Sequence, residues 1–393
     1  MKTLKLVSIL LLGITCLVSS ASAEIEATYD AKKNVITVRA QDMEGLDAIA
    51  RQLNKPAVFS YDKSTGQART TASIEFRGQR RKGQTISIGD PNKRTTLTFV
   101  CAPDAGRRAY RFHVERVASF KLVNTAIRAE NSVGAPGQEK FAGILLMKIQ
   151  NVNIAHCQIS DAHTAIQLMA CPKTVIRDLS IINGDTGMTL GAGGSHVLDG
   201  VDIDTRTVGI NFLNYTAIPE ISNCNITTIN DYSIFLAAGS VPKMTPNITL
   251  TSVRYDKQKE TVFGEGAGIV SIAWHFKMNM LDEDGNARAG ARLRFMPSCE
   301  FEVADVLGLL EPLLERTDKK GLLNIDLIEG VLVREAEAKR SRGVYYPYTY
   351  RIEIDKGKGF KLVEEAFSLK DNIHVEYRKQ GEDYKKTINK EAR

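Results

Sequence analysis

Tryptophan occurs once in 393 residues, and aromatic side chains make up only 7% of the chain. That scarcity argues against a long groove paved with sugar-stacking rings. Beyond the N-terminus no stretch approaches the roughly 20 consecutive apolar residues of a membrane span, so no spanning helix is expected. Six cysteines are present. One of them, Cys16, lies in the first apolar run, and the other five are an odd number, which excludes a fully paired disulfide scaffold. Neither charge sign dominates: 52 Lys and Arg against 46 Asp and Glu give a formal net charge of +6. No nucleic-acid module is legible, and no nucleic-acid partner is expected. The local basic cluster of Arg77, Arg80, Arg81, Lys82, Lys93 and Arg94 reads as a solvated loop.

The chain opens with Lys2 and Lys5, an apolar run over 6–18 and Ser-Ser-Ala-Ser-Ala before Glu24. A positive start, a short apolar stretch and an Ala-x-Ala site describe a secretory signal peptide. Residues 1–23 are assigned to it, with cleavage after Ala23, and the mature protein is expected outside the cytoplasm, secreted, periplasmic or on the cell surface.

Between residues 120 and 273 the sequence repeats. Ile144, Ile166, Met188, Ile210 and Ile234 are spaced by 22, 22, 22 and 24 residues. Leu146, Leu168, Leu190, Phe212 and Leu236 follow two positions later. Ile154, Ile176, Leu198 and Ile221 form a third column, and Ile159, Ile181, Ile203 and Ile226 a fourth. Cys157, Leu179, Val201 and Cys224 fall between those two. Within each unit the period is 2, so the segments are strands. Twenty-two residues are too few for a strand and a crossover helix, so each strand must stack on its equivalent in the next turn and bury one continuous core. The fold is read as all-β: a parallel β-helix over 72–273, starting irregularly with Ile74, Ile86, Ile88, Leu97 and Phe99. Cys157 and Cys224, three coils apart, stand roughly 14 Å from each other at the usual strand spacing and cannot bridge. Residues 24–71 are assigned to an N-terminal cap. A helix over 42–54 with Asp42 as N-cap would plug the first coil through Leu46, Ile49 and Leu53.

Residues 175–185, Val-Ile-Arg-Asp-Leu-Ser-Ile-Ile-Asn-Gly-Asp, resemble the right-handed parallel β-helix (pectate-lyase-like) superfamily, which includes the polygalacturonases. The resemblance implies a right-handed coil. In that superfamily lyases bind calcium through acidic residues and use Arg or Lys as base, whereas hydrolases use paired acids. The hydrolase signatures Asn-Thr-Asp, Asp-Asp, Gly-His-Gly and Arg-Ile-Lys are absent here, as is an Arg-Pro cluster of the lyase kind.

From Trp274 the pattern changes. Asp282 to Gly285, Gly290-Ala291 and Thr317 to Gly321 resemble the strand-turn pattern of the transthyretin-like β-sandwich known from carboxypeptidase regulatory domains. A small sandwich is therefore expected over 274–380, with a helical insertion over 301–316 and a basic tail over 381–393. In that family such appendages are spacers or binding modules. Asp282, Asp284 and Asn286 do not follow the calcium-loop spacing, because Gly285 precedes Asn286 and position 293 is Leu. They read as an Asp-Gly hairpin turn.

Two outward faces of the ladder differ. Leu145, Met147, Met169, Leu213 and Phe235 form an apolar stripe, expected to be covered by a loop, the C-terminal domain or a protein partner. The other face is polar. Asp178, Asp202 and Arg177 are the candidates for catalysis, as carboxylates clustered with a base. His156, Asp204, Arg206, His163 and Asp185 are the candidates for binding, and His163 and Asp185, 22 residues apart, should be neighbours. Outward acids and bases on a solvated strand are ordinary, so the leading expectation is a non-catalytic protein that binds a polysaccharide or forms part of a cell-surface assembly, its partner a polysaccharide or cell-surface glycan. A polysaccharide lyase or glycoside hydrolase is the alternative, and a structural or adhesive spacer the third. No cofactor or metal is expected, with calcium entering only if the protein is a lyase.

Overall fold

The computed structural model describes residues 27–38, 42–78, 83–132, 137–191, 194–213, 219–229, 232–236, 247–255, 261–263, 269–301, 310–334 and 341–389. Residues 1–23, the expected signal peptide, lie outside the described residues. The fold is a right-handed parallel β-helix followed by a β-sandwich.

Each coil is a triangle of three strands, and the three faces are called A, B and C here. Face A stacks Ser119–Val123, Asn151–Ser160 up to Ala155, the start of Lys173–Leu190 and the start of Ser195–Phe212 in parallel register. Face B carries Cys157, Leu179, Val201 and the strand Asn225–Thr228. Face C runs through Phe141–Met147, Thr164–Met169 and the later strands that contain Met188, Ile210 and Ile234. The expected columns are realised: Ile144, Ile166, Met188, Ile210 and Ile234 are adjacent in the ladder and at most 1% exposed. The period of 22 pairs every strand with its equivalent one coil away, so backbone polar groups are satisfied along the axis while the inward positions make one core.

One residue in the left-handed region turns face A into face B on successive coils: His156 (φ 54°), Asp178 (φ 48°), Gly200 (φ 66°) and Asn223 (φ 54°). Short polar residues and glycine tolerate this conformation best. The corner from B to C uses Asp161 and Asn183 in the same way (φ 61° and 58°).

Parallel pairing reaches further back than residue 72. Val35–Val38 pairs with Ser73–Arg77, and Gln67–Thr70 pairs with Thr95–Val100. Within the expected cap, helix α1 spans Met43–Gln52, and the Asp42 carboxylate accepts from the Gly45 amide at 2.8 Å. Met43, Leu46, Ile49 and Ala50 are buried against the ladder core and Leu53 packs beside them, so the helix covers apolar positions that would otherwise be wet.

At the other end the strand Ile269–Leu281 exchanges partners. Its first half pairs with Asn247–Thr251 of face A and its second half with Ile373–Gln380 of the sandwich. Leu322–Arg334 runs antiparallel along most of its length. Ser341–Pro347 covers the last strand of face C, Thr261–Phe263. The sandwich therefore pairs directly with the last strands of the ladder, which would otherwise be open edges. Its second sheet has the order Leu313–Arg316, Arg292–Ser298, Thr349–Asp355, Phe360–Phe367. Trp274, Phe276, Met278, Phe295, Tyr350 and Ile352 fill the space between the two sheets.

Two local expectations need correction. The end of the helical insertion is strand Leu313–Arg316, paired antiparallel with Arg292–Ser298, because an open sheet edge offers it hydrogen bonds that outweigh helical propensity; residues 302–309 lie outside the described residues. The basic tail is mostly strand Asp383–Asn389, paired with Ile373–Gln380. Its lysines suit an edge: Lys386 lies over the Phe367 ring at 4.7 Å and pairs with Glu364 at 2.6 Å. The 282–286 turn is a hairpin, in which the Asp282 carboxylate accepts from the Asn286 amide at 2.8 Å.

Candidate functional site

The ladder gathers the polar candidates at two corners and leaves two acids on face B between them. Around the A–B corner stand Arg177, the outward end of a face A strand, then Asp178 in the corner itself, and His156 one coil before it. All three are exposed. His156 Nδ1 lies 3.0 Å from Asp178 Oδ2, with side chains 65% and 60% exposed, a setting in which an ion pair is worth well under about 1 kcal/mol. Asp178 Oδ1 points along the corner toward Gly200 of the next coil, 3.0 Å from where a side chain there would begin. The Asp178 carboxylate is thus directed along the helix axis and not across face B.

Asp202 and Asp204 project from face B. Asp202 stands in one straight column with Gln158, Ser180 and Asn225, and Asp204 stands beside Ile182 and Thr227. Neither acid is brought into contact with Arg177 by the register: Arg177 neighbours Ala155 and Asp199 on face A.

The second group is built at the B–C corner, where the spacing of 22 places His163, Asp185 and Thr207 on consecutive coils. The His163 amide donates to Phe141 O at 2.8 Å, and the Thr186 amide to His163 O at 2.8 Å, which fixes the stacking. His163 Nδ1 lies 3.4 Å from Asp185 Oδ2, the neighbours expected from the spacing. It also lies 3.2 Å from Oε2 of Glu139, a residue that sequence reasoning missed. Glu139 is fully buried, and its Oε1 accepts from Arg206 Nη2 and from the Gly137 amide at 3.2 Å. Asp185 Oδ1 accepts from Thr207 Oγ1 at 3.2 Å.

Glu139 escaped notice for a definite reason. It belongs to the longer connection that precedes Phe141, so its distance to His163 is 24 residues and breaks the period. The connection is tied down by Ser132, whose hydroxyl donates to Asp161 O at 2.9 Å and accepts from the Phe141 amide at 3.0 Å. Only the carboxylate itself, two residues before the ladder strand that begins at Phe141, could have signalled the contact.

The His163 imidazole is held below the ordinary histidine range by burial, which outweighs the neighbouring Glu139 and Asp185 carboxylates that pull the other way. Glu139, His163 and Asp185 each present one donor atom, all within 4.8 Å of one another. Chemically this corner can move a proton at His163, hold a hydrogen-bonding ligand at its rim, or hold a metal.

The apolar stripe is less continuous than the sequence suggests. Leu145 and Phe235 share a column with Gln167, Thr189 and Asn211, while Met147 pairs with Met169 in the next outward column. All five apolar members are half-buried. The five cysteines outside the N-terminal segment are free, and four of them are buried, as expected for small core residues.

Residues 121–271 match the family described as the right handed beta helix region. The match coincides with the regular coils and with faces A, B and C. No curated protein matches the chain. A solved structure titled Geobacillus virus E2 ORF18 aligns with 90% of this chain and 86% of that one at 10% identity. Its TM-score is 0.22, at which the likeness carries no argument. Among the described residues no helix is long and apolar enough to cross a membrane.

Proposed function

We propose that the protein is exported and uses face B of its β-helix to bind a polysaccharide or cell-surface glycan without catalysis. One observation carries this reading: Gln158, Ser180, Asp202 and Asn225 stand in a single outward column, one per coil. At ~4.8 Å per coil, amide, hydroxyl and carboxylate groups repeat along a straight line. A hydroxyl-rich polymer laid along the axis would meet a hydrogen-bonding group on each coil. Export is read from residues 1–23, the finer kinship with pectate-lyase-like proteins from the coil at 175–185.

The sandwich fits a non-catalytic appendage of the carboxypeptidase-regulatory type. Its motif residues bond to one another: Thr317 Oγ1 accepts from the Ala291 amide at 2.9 Å and donates to Arg288 O at 2.6 Å. Its direct pairing with the final ladder strands adds the work of an end cap.

A lyase or hydrolase acting through Asp178, Asp202 and Arg177 is the second reading. It is favoured by the two-residue offset of Asp178 and Asp202 on adjacent coils. Strand rise and coil spacing put their Cα atoms roughly 8 Å apart. The direction of the Asp178 carboxylate, toward His156 and Gly200, weighs against it.

Isothermal titration with soluble glycans, applied to the wild type and to the double variant Asp202→Ala/Asn225→Ala, tests the proposal. Loss of two side-chain hydrogen bonds should weaken binding by about tenfold or more. Unchanged affinity in the double variant would remove face B from the account.

A further inference from the structure

We propose that Glu139, His163 and Asp185 form a site for one divalent transition-metal ion, with Zn2+ the best match. The inference is independent of the glycan reading, since these residues lie at the B–C corner and not on the face B column.

The geometry of the donor atoms comes first. His163 Nδ1 stands 3.2 Å from Glu139 Oε2 and 3.4 Å from Asp185 Oδ2, and the three donor atoms all lie within 4.8 Å of one another. Ligands held about 2.1 Å from a zinc ion are separated by about 3.4 Å in a tetrahedron and about 3.0 Å across an octahedral edge. Both histidine distances fall on that scale. A hydrogen-bonded histidine accounts for one of the two carboxylates. The ladder register brings the Asp185 residue alongside, and its Oδ2 is turned to the same nitrogen as Glu139 Oε2.

The outer shell is also prepared. Each carboxylate has one oxygen held by the protein and the other turned to the same point. Glu139 Oε1 is held by Arg206 and by the Gly137 amide, leaving Oε2 toward His163. The Thr207 hydroxyl, whose shorter bond is to Asp185 O at 2.7 Å, also reaches Asp185 Oδ1 at 3.2 Å, and Oδ2 is turned toward His163. Supporting bonds of this kind fix ligand orientation in metal sites.

The donor set selects the metal. One imidazole nitrogen and two carboxylate oxygens suit zinc and its neighbours, whereas calcium and magnesium prefer oxygen alone. Access is available, because the His163 and Asp185 side chains remain 14% and 12% exposed while that of Glu139 is closed off. A fourth ligand would come from the solvent side. Bound there, the ion would pin the segment carrying Glu139 to two successive coils of the ladder.

The full mature chain, treated with chelator and desalted, should be titrated with Zn2+, Mn2+ and Ca2+ by calorimetry, with metal content read by mass spectrometry. One equivalent of Zn2+ is expected, and Co2+ in its place should give the visible absorption of a low-coordinate nitrogen–oxygen site. His163→Gln and Asp185→Asn should each weaken Zn2+ binding by about 100-fold or more, and Thr207→Val, which removes only the supporting hydroxyl, by about 10-fold. Circular dichroism without metal checks that the variants fold, and Thr207→Val carries the test if the other two do not. Absence of saturable Zn2+ uptake, uptake unchanged in all three variants, or preference for Ca2+ would each overturn the proposal.

Discussion

His196 provides a quantitative test of how dry the ladder interior is. It stands in an inward column directly after Val152 and Thr174, at 1% exposure. Its Nε2 lies 3.2 Å from Cys171 O, and since a carbonyl only accepts, the ring donates. Burial disfavours the imidazolium and pushes its pKa down from the ordinary 6.5 to about 4. Between those two values the unfolded chain binds the proton and the folded chain does not, so stability rises with pH. The contribution is complete above about pH 6.5 and is lost as the pH falls toward 4. The interval of about 2.5 pH units, at about 1.36 kcal/mol each, amounts to about 3 kcal/mol. Urea unfolding at about pH 7.5 and about pH 4 should be measured for the wild type and for His196→Leu, which cannot titrate. The wild type should lose about 3 kcal/mol more than the variant over this interval. His113 and His163 are also shifted down by burial, but they are common to both proteins and cancel. An equal loss in both proteins would mean that His196 is already protonated in the folded state, and the dry-core argument would fail.

Gly143→Ala should cost on the order of 3 kcal/mol, because Gly143 has φ 106° and a Cβ there would lie 1.7 Å from Thr164 O of the next coil. Urea unfolding measures it, and a loss below about 1 kcal/mol would show that the coil spacing at this bulge is misplaced. Thiol labelling of the native protein should modify Cys299 first, since Cys101, Cys157, Cys171 and Cys224 are buried and Cys224 is pushed up to about 12 by burial. Rapid labelling of Cys157 or Cys224 would contradict their placement in the interior column.

The interior was readable because Ile166, Leu168 and their equivalents obey two periods at once, 2 within a strand and 22 between coils. The corners were harder. His156, Asp178, Gly200 and Asn223 do the same geometric work with four different side chains, so no residue type marks the column. Asp178 belongs to this column, so its backbone serves the turn and its carboxylate follows the corner. His163 and Asp185 were found from their spacing, whereas Glu139 required the path of an irregular connection. Arg206 was noted as polar, but its reach back to Glu139 across 67 residues is a tertiary fact. The strand Leu313–Arg316 was misread because Leu-Leu-Glu-Arg suits a helix as well as an edge strand, and only the neighbouring Arg292–Ser298 decides between them.

The central claim, glycan binding along face B without turnover, is tested most directly by a glycan-array screen joined to assays for new reducing ends and for unsaturated products, run with and without calcium. The account predicts retention of at least one polysaccharide class, weakened by Asp202→Ala/Asn225→Ala, with no product under either condition. Product that vanishes in Asp178→Ala or Asp202→Ala would contradict it and establish the enzyme reading, and absence of any glycan binding would leave the ladder as a spacer.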